Sequence, residues 1–259
     1  MLFGICSGPE NVDIIKNSGF DFFEINVQSN LTSLKSEDAF IPVLKKIKES
    51  PIPPIAANCF IPGSMKVCGE NVNFDLLKDY VLTVFDRAKR AGVKIIVFGS
   101  GGARNVPQGF EKNKALDQII KFCKMISTLA QDNDITVVLE PLNKKECNIL
   151  NTIQECFYIC DAVSHPSIQL LVDSYHFFLE KDNPEYIIKY ADKIKHVHIA
   201  TSLNRMAPGI EDCDFSGFVN ALKKINYNLS VSIESSWNNM SVEAPKAKKE
   251  LERLFVLST

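Results

Sequence analysis

No apolar stretch in this chain approaches the ~20 residues that a membrane-spanning helix requires, so a helical membrane protein is excluded. Its first residues, Met1-Leu2-Phe3-Gly4-Ile5-Cys6, carry no basic segment and are too short for a secretory leader, so a cytoplasmic location is expected. There is no excess of either charge: the formal net charge of −2 argues against nucleic acid or an anionic membrane as a partner. The eight cysteines include no CxxC pair; scattered through strand-like and helix-like segments, they suggest buried, reduced thiols rather than a disulfide framework. Matches to the glycosylation pattern at Asn30, Asn228 and Asn239 are chance in such a compartment. Gly99-Ser100-Gly101-Gly102 lacks the P-loop pattern and suits a tight turn between strand and helix. No linker, low-complexity tract or repeat divides the chain, so one domain over 1–259 is expected.

What is present is alternation. Short aliphatic runs at 2–6, 21–27, 54–60, 93–99, 135–140, 168–173, 194–200 and 229–234 have the length and composition of strands. Segments with helical period lie between and after them, at about 10–18, 36–49, 73–91, 113–132, 151–163, 184–191, 214–225 and 242–256. Gly19 and Gly92 stand where two helices should end before a strand begins. Strict strand–helix alternation implies a parallel sheet, and eight such units in 259 residues imply an α/β fold, the (β/α)8 TIM barrel.

Side-chain parity locates a candidate site. On the four late strands one phase is uniformly aliphatic (Ile135, Val137, Leu139; Leu170, Val172; Val197, Ile199; Val231, Ile233) and should face the helices. The opposite phase ends in Glu140, Asp173, His198 and Glu234, all at the carboxyl ends, where such barrels build active sites. Each has an ordinary structural reading: Glu140 as a polar strand end capping a loop, Asp173 as an Asx turn, His198 as a hydrogen-bonded core histidine, Glu234 as the partner of a neighbouring lysine. His196 and Glu24 are read as satisfied polar core residues. Taken jointly, three carboxylates and an imidazole at one height form a site for one divalent metal ion, manganese first, with magnesium or cobalt as alternatives.

The motifs Val138-Leu-Glu140-Pro-Leu-Asn143, Val172-Asp173-Ser-Tyr-His176, His196-Val-His198-Ile-Ala200, Arg205-Met-Ala-Pro208-Gly209 and Ser232-Ile-Glu234 occur in order. Together they resemble the xylose-isomerase-like TIM-barrel superfamily, in its sugar epimerase and isomerase branch related to D-tagatose 3-epimerase, over nearly the whole chain. The resemblance implies one metal held by Glu140, Asp173, His198 and Glu234, with substrate contacts from Glu146, His176 and Arg205. It also admits a homo-oligomer, dimer or tetramer. Asn58, Cys59 and Phe60 after the third strand, and Ser100-Gly101-Gly102 after the fourth, should line the pocket. Trp237 is either a wall of that pocket or packing.

Epimerising a ketose requires removal of a proton beside a carbonyl, and the obstacle is the charge that develops on oxygen. A divalent metal stabilises the resulting cis-enediolate, while Glu140 and Glu234 on opposite faces take the proton from one side and return it from the other. The expected activity is therefore a metal-dependent epimerase or isomerase of a small ketose. An inosose dehydratase or a hydroxypyruvate-type isomerase would use the same enolate chemistry. An apurinic-site endonuclease of the same superfamily resembles the chain in fold but needs a histidine-rich three-metal cluster, whereas this chain has only four histidines. A non-catalytic sugar-binding protein would be expected to have lost one of the four donors.

Overall fold

Strands buried on both faces need apolar neighbours on one side and a filled lumen on the other, and helices connecting parallel strands supply the first. The computed structural model of the protein describes residues 1–31 and 34–255. Its strands are β1 (Leu2–Cys6), β2 (Phe22–Asn26), β3 (Pro54–Asn58), β4 (Ile95–Phe98), β5 (Thr136–Leu139), β6 (Ile168–Asp173), β7 (Ile194–Ile199) and β8 (Ser230–Ile233). They run in sequence order around a closed parallel barrel, which β8 completes by pairing with β1 from Leu2↔Ser230 to Ile5↔Ile233. The expected (β/α)8 architecture is the observed one.

The helices are α1 (Val12–Asn17), α2 (Val27–Asn30), α3 (Glu37–Lys48), α4 (Phe74–Ala91), α5 (Gly101–Arg104), α6 (Lys112–Asp132), α7 (Ile153–Val163), α8 (Ser174–Glu180), α9 (Pro184–Lys189), α10 (Ser216–Lys224) and α11 (Met240–Phe255). Three of them, α2, α5 and α8, were not expected; each follows a strand with no more than two residues between, and α2 and α5 have only four residues each. α4 starts where Asn73 accepts the Leu76 N–H and stops at Gly92, whose φ of +90° is left-handed, as expected of that glycine. Residue 256 of the expected last helix and Thr32 of the Asn30 glycosylation match lie outside the described residues.

Parity holds. The aliphatic phase of the late strands joins the main core between barrel and helices, whereas Val97, Val138 and Leu171 form a small separate cluster in the lumen. β3 ends two residues earlier than expected because Cys59 adopts φ +55°, which breaks the extended chain. That turn corrects one expectation: Phe60 does not line the pocket but is buried in the main core against Phe85, Phe98 and Phe122.

Arg104, on the short α5, is fully buried. Its guanidinium lies against the Phe98 ring and donates to the carbonyls of Phe98 at 2.8 Å and Glu140 at 3.0 Å. It therefore ties the ends of β4 and β5 together at the mouth of the barrel. Substituting Arg104→Met keeps the bulk but leaves the Glu140 carbonyl without these donors. Chemical denaturation should show a loss of about 3 kcal/mol, and a variant as stable as the parent would contradict this role.

Candidate active site

The carboxyl ends of β5 to β8 bring four side chains together. One donor atom each from Glu140, Asp173, His198 and Glu234 lies within 4.8 Å of the others. His198 Nδ1 stands 3.2 Å from Glu140 Oε1 and 3.2 Å from Glu234 Oε2. Asp173 serves two ends at once: Oδ1 caps α8 by accepting the Tyr175 N–H at 2.7 Å, while Oδ2 is buried with no hydrogen-bond partner. The Asx-type reading of Asp173 is thus compatible with a free oxygen aimed into the site. Glu140 comes so close to the neighbouring strand that a Cβ on Gly99 would lie 2.2 Å from its Oε2 and would force that carboxylate to shift. Ser100 follows in the left-handed region at φ +44°, the tight turn expected of this stretch.

The substrate-contact candidates border the same space. Arg205, held at φ +52°, pairs with Glu234 and lies 3.7 Å from both Asp173 and Glu146. Its guanidinium carbon sits 4.6 Å from the Tyr175 ring centre. His176 Nδ1 accepts the Asn143 N–H at 3.1 Å, which leaves Nε2 as the protonated nitrogen; that atom is buried and has no hydrogen-bond partner. Asn143 Nδ2 donates to Glu146 Oε1 at 2.8 Å, and Asn58 Nδ2 donates to Glu234 Oε1 at 3.0 Å. Glu140, Glu146, His176, Arg205, Glu234 and Asn58 all line one cavity of about 300 Å³ at the barrel mouth. Trp237 packs partly buried against the hydrophobic core.

Sequence reasoning missed two residues and undervalued a third. Asn143 was visible only as part of a motif, and Gln28, which lines the cavity and donates to the Cys59 carbonyl at 2.8 Å, carried no signal. Glu24, by its sequence a satisfied polar core residue, is buried, and its two oxygens lie 3.0 Å from His198 Nε2 and 2.8 Å from His196 Nε2.

Burial and crowding set the charges. Burial raises Asp173 to about 6 against the pull of Arg205. Burial also raises Glu140, helped by the charge on Glu234. Glu234 goes the other way: burial opposes its ionisation, but His198 and Arg205 outweigh that and hold it at about 2. His198 is raised well above the usual imidazole range because the surrounding carboxylates, Glu24 foremost, overcome its burial. Burial lowers His176, favouring the neutral ring. Three acids and one imidazole, with a buried oxygen that accepts no hydrogen bond, form a cluster that can hold a divalent metal ion.

The family described as xylose isomerase-like TIM barrel matches residues 12–256. The chain belongs to that family. Among its xylose isomerase-like relatives, L-ribulose 3-epimerase of Methylomonas sp. (strain DH-1) is 33% identical over 111 residues, 42% of this chain but only 38% of that enzyme's length. Inosose isomerase of Bacillus velezensis is 23% identical over 241 residues, covering 87% of this chain and 82% of the relative. Among solved structures, D-allulose 3-epimerase from Methylomonas sp. superposes with a TM-score of 0.84 at 20% identity, covering 98% of each chain. A structure named IOLI protein, with a bound zinc atom, superposes with a TM-score of 0.78 at 19% identity over 100% of each chain. These structural likenesses establish the shared barrel.

A protonated Asp173 or His198 cannot serve a cation, so protons would compete with any metal ion taken up at this cluster. With Asp173 raised to about 6, acidification through that value fills the site with protons and weakens metal binding. Titration calorimetry with Mn2+ should show at least tenfold weaker affinity at pH 5 than at pH 7.5. Equal affinity at both would contradict the assignment.

Proposed function

We propose that this chain is a metal-dependent sugar epimerase or isomerase acting on a small ketose. In this reading Glu140, Asp173, His198 and Glu234 hold one divalent cation, and Glu140 and Glu234 move the proton. The observation that carries the proposal is the convergence of those four donor atoms, from the ends of four strands, within 4.8 Å. When bound, the cation supplies positive charge where an oxygen becomes negative as the neighbouring C–H bond breaks.

The chain's own residues do the rest. Glu140 and Glu234 flank His198 from β5 and β8, on two sides of the mouth. In the metal-free site the two differ, Glu234 held low by His198 and Arg205 and Glu140 raised by burial; a bound cation would favour the ionised form of both, so either can serve as base and its partner as acid. The base takes the proton beside the carbonyl to give an enediolate, and the acid returns a proton from the opposite face with the stereocentre inverted. The reverse reaction exchanges the roles. Asn58 and Arg205 hold the Glu234 carboxylate in place. The Nε2–H of His176 is free to donate to a substrate oxygen, and Glu146, at the open side of the cavity, to accept from a hydroxyl. A cavity of about 300 Å³ suits a single small sugar.

Relatives named as 3-epimerases of ribulose, psicose and other ketoses support this reading. A second reading, isomerisation of an inosose, is favoured by one observation: the inosose isomerase relative matches 87% of this chain, against 42% for the L-ribulose 3-epimerase. We assign manganese, with magnesium or cobalt as alternatives. The eight free thiols fit a reducing cytoplasm.

Chelator-stripped protein should be inactive on a panel of ribulose, fructose, tagatose, psicose and inosose, and one metal should restore turnover of one of them. Turnover that persists after stripping would count against the proposal. Glu234→Gln and Glu140→Gln should each lower kcat by roughly 10²–10⁴ on that substrate; a loss smaller than tenfold in both would remove the acid/base pair.

A further inference from the structure

The site's imidazole can serve a cation at Nδ1 only if its remaining proton sits on Nε2. We infer that Glu24 is the positioning residue that enforces this: it clips His198 in the Nε2–H form, so that Nδ1 faces the three acids of the mouth. The inference rests on the metal reading above and extends it to a residue on the far side of the barrel.

Three observations carry it. Glu24 reaches across the lumen from β2 to β7, two strands separated by β1 and β8 in the ring. Its Oε1 is 3.0 Å from His198 Nε2 and its Oε2 is 2.8 Å from His196 Nε2, in side chains with no exposure. A carboxylate only accepts, so both imidazoles must present N–H at Nε2. With its proton on Nε2, His196 can accept from the Ser230 hydroxyl at Nδ1, 2.7 Å away, and its Nε2 also lies 3.1 Å from the Ser232 hydroxyl.

The alternative His198 tautomer would set a nitrogen lone pair against Glu24 Oε1 at 3.0 Å with both groups buried, two acceptors facing each other. Whether or not Nδ1 also carries a proton, the Nε2 proton stays with Glu24, so the inference does not depend on how the site titrates. His198 and Asp173 are register partners on adjacent strands, and His196 shares the inward phase two residues away. Fixing the imidazole plane from below therefore also fixes where Nδ1 points. Carboxylate partners of this kind orient a ligating histidine and strengthen it as a donor.

Two measurements test it. Calorimetry compares Mn2+ binding to the full-length parent protein and to Glu24→Gln, whose amide keeps the size but turns an N–H group toward one of the two histidine donors. We expect a 10–100-fold weaker Kd for the variant, with its metal-free fold unchanged by circular dichroism. Parent protein that takes up no divalent cation overturns this inference together with the metal reading. Parent protein that binds while Glu24→Gln binds within twofold overturns this inference alone. The second measurement needs no variant and decides the matter if Glu24→Gln does not fold. Nitrogen-15 NMR of the parent loaded with diamagnetic Mg2+ or Zn2+ should show His198 with its proton on Nε2; a proton on Nδ1 overturns the inference.

Discussion

Crowding of negative charge at the mouth of a narrow barrel governs this molecule. Glu140, Asp173 and Glu234 place donor atoms within a space where their mutual repulsion, in partly dry surroundings, must be answered by positive charge. His198 lies between them and Arg205 covers them from the loop after β7. The arginine is held in a left-handed conformation, and the Ser236 N–H donates to its carbonyl at 2.7 Å, so the strain is secured by the next loop. Compensation is uneven: Glu234 is in close contact with both His198 and Arg205, whereas Asp173 Oδ2 lies 3.7 Å from Arg205 and accepts no hydrogen bond. That unevenness distinguishes the carboxylates chemically.

The barrel walls pin down what the charges would otherwise push apart. Arg104 holds the Glu140 backbone, the missing side chain of Gly99 leaves room for its carboxylate, and the first turn of α8 keeps one oxygen of Asp173 occupied. Each of these holds a backbone or a single atom and leaves the working atoms unconstrained.

Much of this was legible beforehand. A strand buried on both faces is an unbroken aliphatic run, and a two-residue side-chain period separates lumen from helix side. All eight strands and the inward direction of the four donors followed from those two rules. Helices α2, α5 and α8 did not: α2 and α5 have four residues each, too few for an amphipathic stripe, and all three form from local features such as the Asn26 and Asp173 caps and the turn at Ser100. The end of β3 was hidden in the φ of one residue, Cys59, and with it the direction of Phe60. Glu24 was illegible for another reason. Its partners lie 172 and 174 residues away, and only closure of the ring brings β2 opposite β7.

That closure divides the labour between the two halves of the chain. The four converging donors all come from β5 to β8, a contiguous stretch, whereas Glu24 and Asn58, which brace His198 and Glu234, come from β2 and β3. A half-barrel carrying the last four strands would own every coordinating atom yet none of these braces. Reactivity and alignment are thus inherited from opposite ends of the polypeptide and meet only across the seam.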